Sequence, residues 1–237
     1  DAYNGTNLWM REIPRSLRLG AFLDCSNYVV DSQALYVVAD DTCHVLDVGT
    51  GEPIRQLTAP GQTSDEARHW GYVARVDDLL VGSLRRPGAA YDRQSREDDA
   101  ALWDDSMSLV TSTSMFALGA PESDLRWQYR SGVILNTTIT IGGGRIYFLE
   151  SHSPQPLENT SGRMPMTALK PGPNYLVALD VHTGATVWRI PWSLENYQHI
   201  AYANYAQEKL ILSGNRYVDR KLWYFFETLD ALTGQSV

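Results

Sequence analysis

The residue types that perform acid–base, nucleophilic or metal chemistry are present, but their spacing does not favour a catalytic centre. The five histidines stand at positions 44, 69, 152, 182 and 199 and show no metal-ligand spacing. The only glycine run, Gly142–Gly144, lies between two strand-like segments, where a β-turn accounts for it. No nucleophile elbow, phosphate-binding glycine loop or paired-cysteine zinc pattern occurs. The sequence therefore gives no support for metal or nucleophilic catalysis.

The charged residues exclude two further classes of function. A calcium site needs several converging oxygen ligands, and the acidic run from Glu97 to Asp105 lacks the glycine-containing spacing of a calcium loop. We interpret this run as a solvated loop and predict no metal site. The net charge of −8, without a dense basic cluster, argues against nucleic acid as a partner.

The apolar runs are far shorter than the roughly 20 residues that span a bilayer, so we expect no transmembrane segment.

The two cysteines leave two alternatives open. Cys25 and Cys43 pair in a disulfide if the protein works in an oxidising compartment, or they are two buried free thiols. The sequence opens at Asp1 without an initiator methionine or export signal, and both ends cut through a repeated motif. We therefore expect a fragment of a longer chain.

A repeat organises the sequence. The shared pattern is Asp-x-x-Thr-Gly-x-x-x-Trp, and each copy follows an apolar segment wherever that segment lies within the chain. An aspartate that accepts turn amides and a glycine that tolerates positive φ allow a hairpin to reverse within a few residues. Three copies carry the tryptophan, and Arg55 replaces it in the second copy. The copies begin at Asp1, Asp47, Gly119, Asp180 and Asp230, and the tryptophans are Trp9, Trp127 and Trp188.

A second strand pair precedes each hairpin, as in Asn27–Val30 followed by Ala34–Ala39 and in Thr137–Ile141 followed by Arg145–Leu149. Four strands per repeat are typical of a propeller blade. The fold class predicted is all-β, a β-propeller of four-stranded antiparallel blades. About four blades are expected here, from a larger ring of eight. Residues 1–237 are expected to form one propeller segment with surface-loop insertions at about 85–106 and 151–173.

The segment Ala178–Trp188 resembles the Ala-x-Asp-x-x-Thr-Gly-x-x-x-Trp motif of the PQQ-like repeat. The resemblance covers essentially the whole chain, in copies of uneven quality. The family that the chain resembles includes eight-bladed quinoprotein alcohol dehydrogenases. It also includes the outer-membrane-assembly lipoprotein propeller, which has no cofactor. It implies that the motif tryptophans dock neighbouring blades together. Such families share a fold without sharing an activity.

The resemblance implies three possible functions. The dehydrogenases need PQQ, a calcium or lanthanide ion and a catalytic aspartate, and many use a disulfide between adjacent cysteines, a pair that this chain lacks. We favour a non-catalytic propeller that serves as a protein-interaction or scaffold module, with a protein partner and no cofactor. The alternatives are part of a PQQ-dependent alcohol or sugar dehydrogenase, with PQQ and calcium, and a propeller sensor fused to another catalytic domain. The family implies an extracytoplasmic location, in the periplasm or envelope of a bacterium.

The central mouth of a propeller is lined by residues at or just before the innermost strand of each blade. The candidates for binding a small molecule there are Asn27, His69, Trp70, Asn136 and His199. Arg18 and Arg130 are nearby candidates for anion contacts. The alternative, which we favour, is that these residues pack and hydrogen-bond within a closed centre.

Overall fold

The computed structural model describes residues 4–18, 21–61, 67–91, 108–119 and 124–237, and antiparallel strands dominate them. The first unit is a four-stranded sheet in which each strand pairs with the next in sequence. Its strands are β1 (Tyr28–Val30), β2 (Ala34–Ala39), β3 (Thr42–Asp47) and β4 (Pro53–Thr58).

Three further units follow in sequence. The second consists of β5 (His69–Val76), β6 (Leu79–Arg85), β7 (Ser108–Gly119) and β8 (Asp124–Tyr129). The third contains β9 (Val133–Leu135), β10 (Thr140–Gly142), β11 (Arg145–Ser151), β12 (Arg163–Pro165), β13 (Asn174–Asp180) and β14 (Thr186–Pro191). The fourth has β15 (Ala201–Ala206), β16 (Lys209–Val218) and β17 (Lys221–Asp230), and Ser236 bridges back to Leu229.

The pairing joins the two middle units. Strand β9 pairs with both β7 and β11, and β12 also pairs with β7, so these units form one ten-stranded sheet. Successive antiparallel sheets of this kind confirm the predicted all-β propeller class. The predicted ring of eight blades remains a prediction.

The repeated motif forms the predicted hairpin turns. In the copy at Asp180, the carboxylate Oδ1 accepts hydrogen bonds from the backbone N–H of His182 and from the N–H and hydroxyl of Thr183, at 2.8–3.1 Å. Gly184 then adopts φ +69°, which favours glycine. The copies at Asp47 and Asp230 repeat these contacts. The bonds to its threonine hold the pKa of each of these aspartates below its ordinary value.

Apolar side chains from neighbouring units meet between the sheets. In one cluster, Tyr36 and Val38 of β2 pack with Trp70 of β5 and Phe116 of β7. The rings of Trp70 and Phe116 meet edge to face with centroids 5.0 Å apart. Alternation along β6 sends Leu80 into this cluster and Val81 into the next one, so both faces of the second unit are buried.

The insertion at 151–173 differs from the predicted surface loop. It contains short helices at Pro154–Glu158 and Met166–Leu169 as well as β12. Met164, Met166 and Leu169 are buried in the core because the segment supplies apolar side chains that pack on β7 and β11. Most of the other predicted insertion, residues 92–106, lies outside the described residues.

The inner strand of the third unit also differs from the prediction. The segment Thr137–Ile141 was expected to be continuous strand, but Asn136–Thr138 form a 3-10 turn and the strand resumes as β10. The Thr138 hydroxyl stabilises this turn, since it donates to the Leu135 carbonyl at 2.7 Å and accepts from the Leu149 N–H at 2.9 Å. The turn places the Asn136 side chain in the interior.

Candidate functional site

The structure places the five predicted mouth residues near the starts of four inner strands. His69 and Trp70 begin β5, Asn27 precedes β1, Asn136 follows β9, and His199 precedes β15. Only Asn136 and the backbone carbonyl of Trp70 take part in one connected polar network. We call this network the central polar network; its other members are Arg18, Asp24, Cys25, Ser83, Arg85 and Ser112.

Asn136 links two parts of the network and is only 1% exposed. Its amide Nδ2 donates to Asp24 Oδ1 at 2.7 Å, and its Oδ1 accepts from the Ser112 hydroxyl at 2.6 Å. Because Ser112 uses its proton on Asn136, Ser83 must donate to Ser112 across their 2.8 Å contact. The Ser83 oxygen in turn accepts from the Tyr72 N–H at 2.8 Å. The donor directions are therefore fixed from Asp24 to β5.

The backbone of β5 lies very close to the Ser83 and Ser112 hydroxyls at Gly71. A Cβ atom at Gly71 would lie 2.3 Å from the Ser83 hydroxyl and 2.8 Å from that of Ser112. The pairing of β5 with β6 shifts register between Trp70 and Val73, around this glycine. Gly71 thus creates the space that the two serine hydroxyls occupy.

Two guanidinium groups converge on the other end of the network. The Trp70 carbonyl accepts from Arg18 at 3.0 Å and from Nε of Arg85 at 2.8 Å. Arg18 also lies 3.6 Å from Oδ2 of Asp24, and both of these side chains are nearly inaccessible to solvent. Arg18 thus supplies the opposite charge that a buried carboxylate requires.

Burial dominates the electrostatics of these groups. Desolvation, followed by the neighbouring charge of Arg18, lowers the pKa of Arg85 to about 10. Desolvation and the carboxylate of Asp24 raise the pKa of the Cys25 thiol well above its ordinary value. The thiol is therefore protonated at neutral pH and is a poor nucleophile.

The remaining predicted mouth residues have separate internal contacts. Asn27 donates to the carbonyl oxygens of Ser16 and Val38, at 2.6 and 3.5 Å. His69 lies 3.2 Å from Oδ1 of Asp40, and desolvation lowers its pKa, with Arg85 contributing in the same direction.

His199 also lies apart from the network. Its ring meets the ring of Tyr217 edge to face at 5.8 Å, and its backbone N–H donates to Asn215 at 3.1 Å. The binding of a small molecule by these five residues stays a prediction.

A cavity of about 370 Å³ borders the network on the side of the inner strands. Asp24, Cys25 and Asn136 form one wall, and Tyr72 of β5 and Tyr202 of β15 form others. Asn136 is the only one of the five predicted residues among its described lining. Both Asn136 amide atoms have partners within the protein, whereas Oδ2 of Asp24 and the Thr137 hydroxyl, from two other lining residues, make no hydrogen bond to the described residues.

The two cysteines are free thiols. Cys43 lies on β3 in the core between the first two units, where burial raises its pKa to about 12. Cys25 lies in the central polar network instead. Of the two alternatives open from the sequence, the structure therefore shows free thiols, with Cys43 buried as expected and Cys25 half-buried.

Sequence reasoning did not anticipate a cluster of Ser131, His152 and Glu150. The Ser131 hydroxyl lies 3.3 Å from Nε2 of His152, and the same nitrogen contacts Oε1 of Glu150. In a Ser-His-acid triad one ring nitrogen faces the nucleophile and the other is held by the acid, whereas here one nitrogen makes both contacts. The other Glu150 oxygen accepts from the Tyr129 hydroxyl at 2.5 Å. The cluster thus links Ser131, just before β9, to His152 and Glu150. It does not have the geometry of a serine nucleophile activated by a histidine base.

The residues described do not fit the cofactor of the quinoprotein dehydrogenases. Among them, no group of three or more His, Cys, Asp or Glu side chains is placed to share a metal ion. Asp24 and Asn136 of the central polar network hydrogen-bond to each other at 2.7 Å. We therefore derive no reaction step through PQQ or calcium.

Comparison with known proteins places the fold. No protein-family model matches the chain, and no curated protein has a significantly similar sequence. A europium-containing methanol dehydrogenase aligns with TM-score 0.51 and 13% identity, over 90% of this chain and 40% of the other. The quinohemoprotein alcohol dehydrogenase ADHIIG from Pseudomonas putida HK5 aligns with TM-score 0.50 and 12% identity, over 89% and 33% of the two chains. BamB from Moraxella catarrhalis aligns with TM-score 0.49 and 13% identity, over 98% and 54%.

The comparisons bear out the predicted resemblance at the level of fold. The chain shares its fold with the two dehydrogenases, and it spans 33–54% of the length of the three neighbours. Sequence identity this low shows shared architecture alone. No helix among the described residues is long and apolar enough to cross a membrane.

Proposed function

We propose that this chain is a non-catalytic segment of a PQQ-like β-propeller that binds a protein partner. The observation that carries this proposal is the hairpin of β16 and β17, which extends past the neighbouring strand and exposes aromatic side chains. The internal hydrogen bonding of the central polar network supports the same proposal, because Asn136 is bonded to Asp24 and Ser112, and Ser112 to Ser83, within the protein.

The geometry of the hairpin follows from its pairing. Strand β15 pairs with β16 only as far as Gly214, whereas β16 and β17 continue to pair as far as Val218 and Lys221. The turn residues Asp219 and Arg220 have φ of 51° and 63°, as in the tight turns that suit strand twist. We call the segment 215–224 the projecting hairpin.

Aromatic side chains lie on both faces of the projecting hairpin. Paired residues share a face, so Tyr217 and Tyr224 lie on one side and Trp223 lies on the other. Their exposed fractions are 50%, 64% and 54%. Tyrosine and tryptophan supply large contact area at low entropic cost and are enriched in the centres of protein interfaces. The projecting hairpin therefore suits insertion into a groove of a partner protein.

The test is comparative cross-linking of the purified wild-type chain and a Trp223→Ser, Tyr224→Ser variant in an envelope extract. We expect a specific partner that the variant no longer captures. Tyr28→Ser is a matched control, because Tyr28 is 61% exposed on β1, away from the projecting hairpin. Equal capture by all three proteins would contradict the role of the hairpin.

A cofactor titration tests the non-catalytic part of the proposal. We expect no change in absorbance or melting temperature when PQQ and calcium are added to the full-length protein. Saturable binding with stabilisation would overturn the proposal in favour of a quinoprotein oxidoreductase.

We place the protein outside the cytoplasm of a bacterium, in the periplasm or envelope, because of the resemblance to PQQ-like propellers. Fractionation of cells that express the full-length gene tests this placement. Recovery with cytoplasmic markers would contradict it.

A further inference from the structure

We propose that a second cavity, between the second and third units, binds a small tetrahedral oxyanion such as a phosphate group. The cavity has a volume of about 260 Å³ and is lined by three arginines, Arg68, Arg86 and Arg130. We call it the arginine pocket. It is separate from the central polar network and from the projecting hairpin.

The three arginines come from different elements that the fold brings together. Arg68 immediately precedes β5, Arg86 follows β6, and Arg130 follows β8. Thr113 of β7 and the segment Ser131–Gly132 also line the cavity. The pocket thus forms where the chain passes from the second unit into the third, and it requires the packing of both.

Arg68 forms the fixed base of the pocket. It is only 6% exposed, and its guanidinium donates to the Thr113 hydroxyl at 3.2 Å. That hydroxyl in turn donates to the Leu84 carbonyl at 3.3 Å, which connects the base to β6. A guanidinium held in this way is preorganised, so a ligand does not have to order it.

Arg86 and Arg130 supply charge nearer the solvent. Arg86 is half-buried against Gly162, where an added Cβ would lie 3.2 Å from the Arg86 Cβ. Arg130 is exposed, and its guanidinium lies beside Gly61 and 3.2 Å from the side-chain amide of Gln128. No aspartate or glutamate of the described residues lines the cavity. The pocket thus gathers three guanidinium groups in a chain of net charge −8.

The chemistry of the lining favours a tetrahedral oxyanion. Guanidinium groups bind phosphate and sulfate oxygens through paired, charge-assisted hydrogen bonds. Three such groups, with the Ser131 hydroxyl beside them, match a group that has several oxygens and carries about two negative charges. A single carboxylate has two oxygens and one charge, so it would leave part of this lining unused.

The experiment is calorimetric titration of the intact chain with inorganic phosphate, a sugar monophosphate and acetate, at constant ionic strength. We expect saturable binding of both phosphate compounds and much weaker binding of acetate. Tighter binding of the sugar monophosphate would identify a phosphorylated metabolite as the source of the group; equal binding would identify free phosphate.

Charge-neutralising variants locate the site. Arg86→Gln and Arg130→Gln should each weaken phosphate binding by about tenfold, which corresponds to ~1.4 kcal/mol. Arg126→Gln is the matched control, because Arg126 is also exposed and lies on β8, but it does not line the cavity. An equal loss in Arg126→Gln would show a general charge effect and overturn the proposal. Absence of saturable phosphate binding in the wild-type chain, or acetate binding as tight as phosphate binding, would also overturn it.

Discussion

Trp127 donates a hydrogen bond from its indole Nε1 to the backbone carbonyl of Val181, at 3.0 Å. Val181 directly follows the motif aspartate of the next repeat. Trp9 makes the same bond to Val48 at 2.9 Å, and Trp188 makes it to Ala231 at 3.2 Å. Each motif tryptophan therefore docks on the turn of a following motif, which supplies the physical link between successive sheets.

Replacement of Trp127 should separate its packing from its hydrogen bond. Trp127→Ala removes a buried ring, and we expect a loss of ~3–5 kcal/mol in the free energy of unfolding. Trp127→Phe keeps most of the apolar contact but leaves the Val181 carbonyl without its donor, at a cost of about 1–3 kcal/mol. Urea denaturation measures both values. Equal losses of unfolding free energy in the two variants would contradict this, because they would show that a phenylalanine ring does not preserve the packing contacts of the tryptophan.

The glycine of the motif turn should be required for tryptophan docking as well as for its backbone conformation. A Cβ at Gly184 would lie 2.6 Å from the ring of Trp127, whereas a Cβ at Gly144 would meet nothing within 4 Å. Their φ values of +69° and +73° are nearly the same. Gly144→Ala should therefore lower the free energy of unfolding only by the strain of a left-handed alanine, about 1–2 kcal/mol. Gly184→Ala should lower it clearly more. Similar destabilisation of both variants in urea would contradict this contribution of the tryptophan.

The Asp180 turn should contribute stability that depends on pH. Its pKa is lowered in the folded state, so its contribution is complete above the unfolded pKa of about 3.9 and is lost as the pH falls through the folded value. Asp180→Asn keeps an acceptor oxygen but removes the charge. We expect the variant to be less stable at neutral pH and the difference from wild type to shrink in acid. Thermal melts between neutral and acidic pH measure this, with Asp219→Asn as an exposed turn control. A constant difference across that range would contradict it.

The sequence predicted the strands and turns because these depend on local chemistry. The Thr-Gly turn at Asp180 and the apolar run in β13 follow from turn geometry and strand alternation. The structure of the 151–173 insertion was not predictable in this way. Its prolines and polar residues suggest a loop, while Met166 and Leu169 are buried only because β7 and β11 provide a surface for them.

The candidate site was predictable only in part, for a related reason. The starts of the inner strands could be read from the repeat, and this located Asn136. Its partner Asp24 lies 112 positions earlier, in a segment without any repeat signal. The arginine pocket is assembled from Arg68, Arg86 and Arg130, and no local pattern indicates that the three meet.

The two thiols should be unreactive in the native protein. Burial raises the pKa of both Cys25 and Cys43, so neither forms appreciable thiolate near neutral pH. We expect a thiol reagent such as DTNB to label neither cysteine in the folded chain and both after unfolding without reductant. Failure to label two thiols after unfolding would reveal a disulfide and contradict the free cysteines of the structure.

The central polar network should behave as a unit when Asn136 is replaced. Asn136→Ala leaves the Asp24 carboxylate and the Ser112 hydroxyl without a shared partner in a buried site, so we expect a loss of about 3 kcal/mol in the free energy of unfolding. Because Ser112 donates directly to Asn136, Ser112→Ala should cost less in the Asn136→Ala background than in wild type. Asn204→Ala is the control, since Asn204 lines the adjoining cavity but is exposed, and its effect should stay within about 0.5 kcal/mol. Additive losses for Asn136 and Ser112 would show that the two side chains stabilise the fold independently, which would contradict the network.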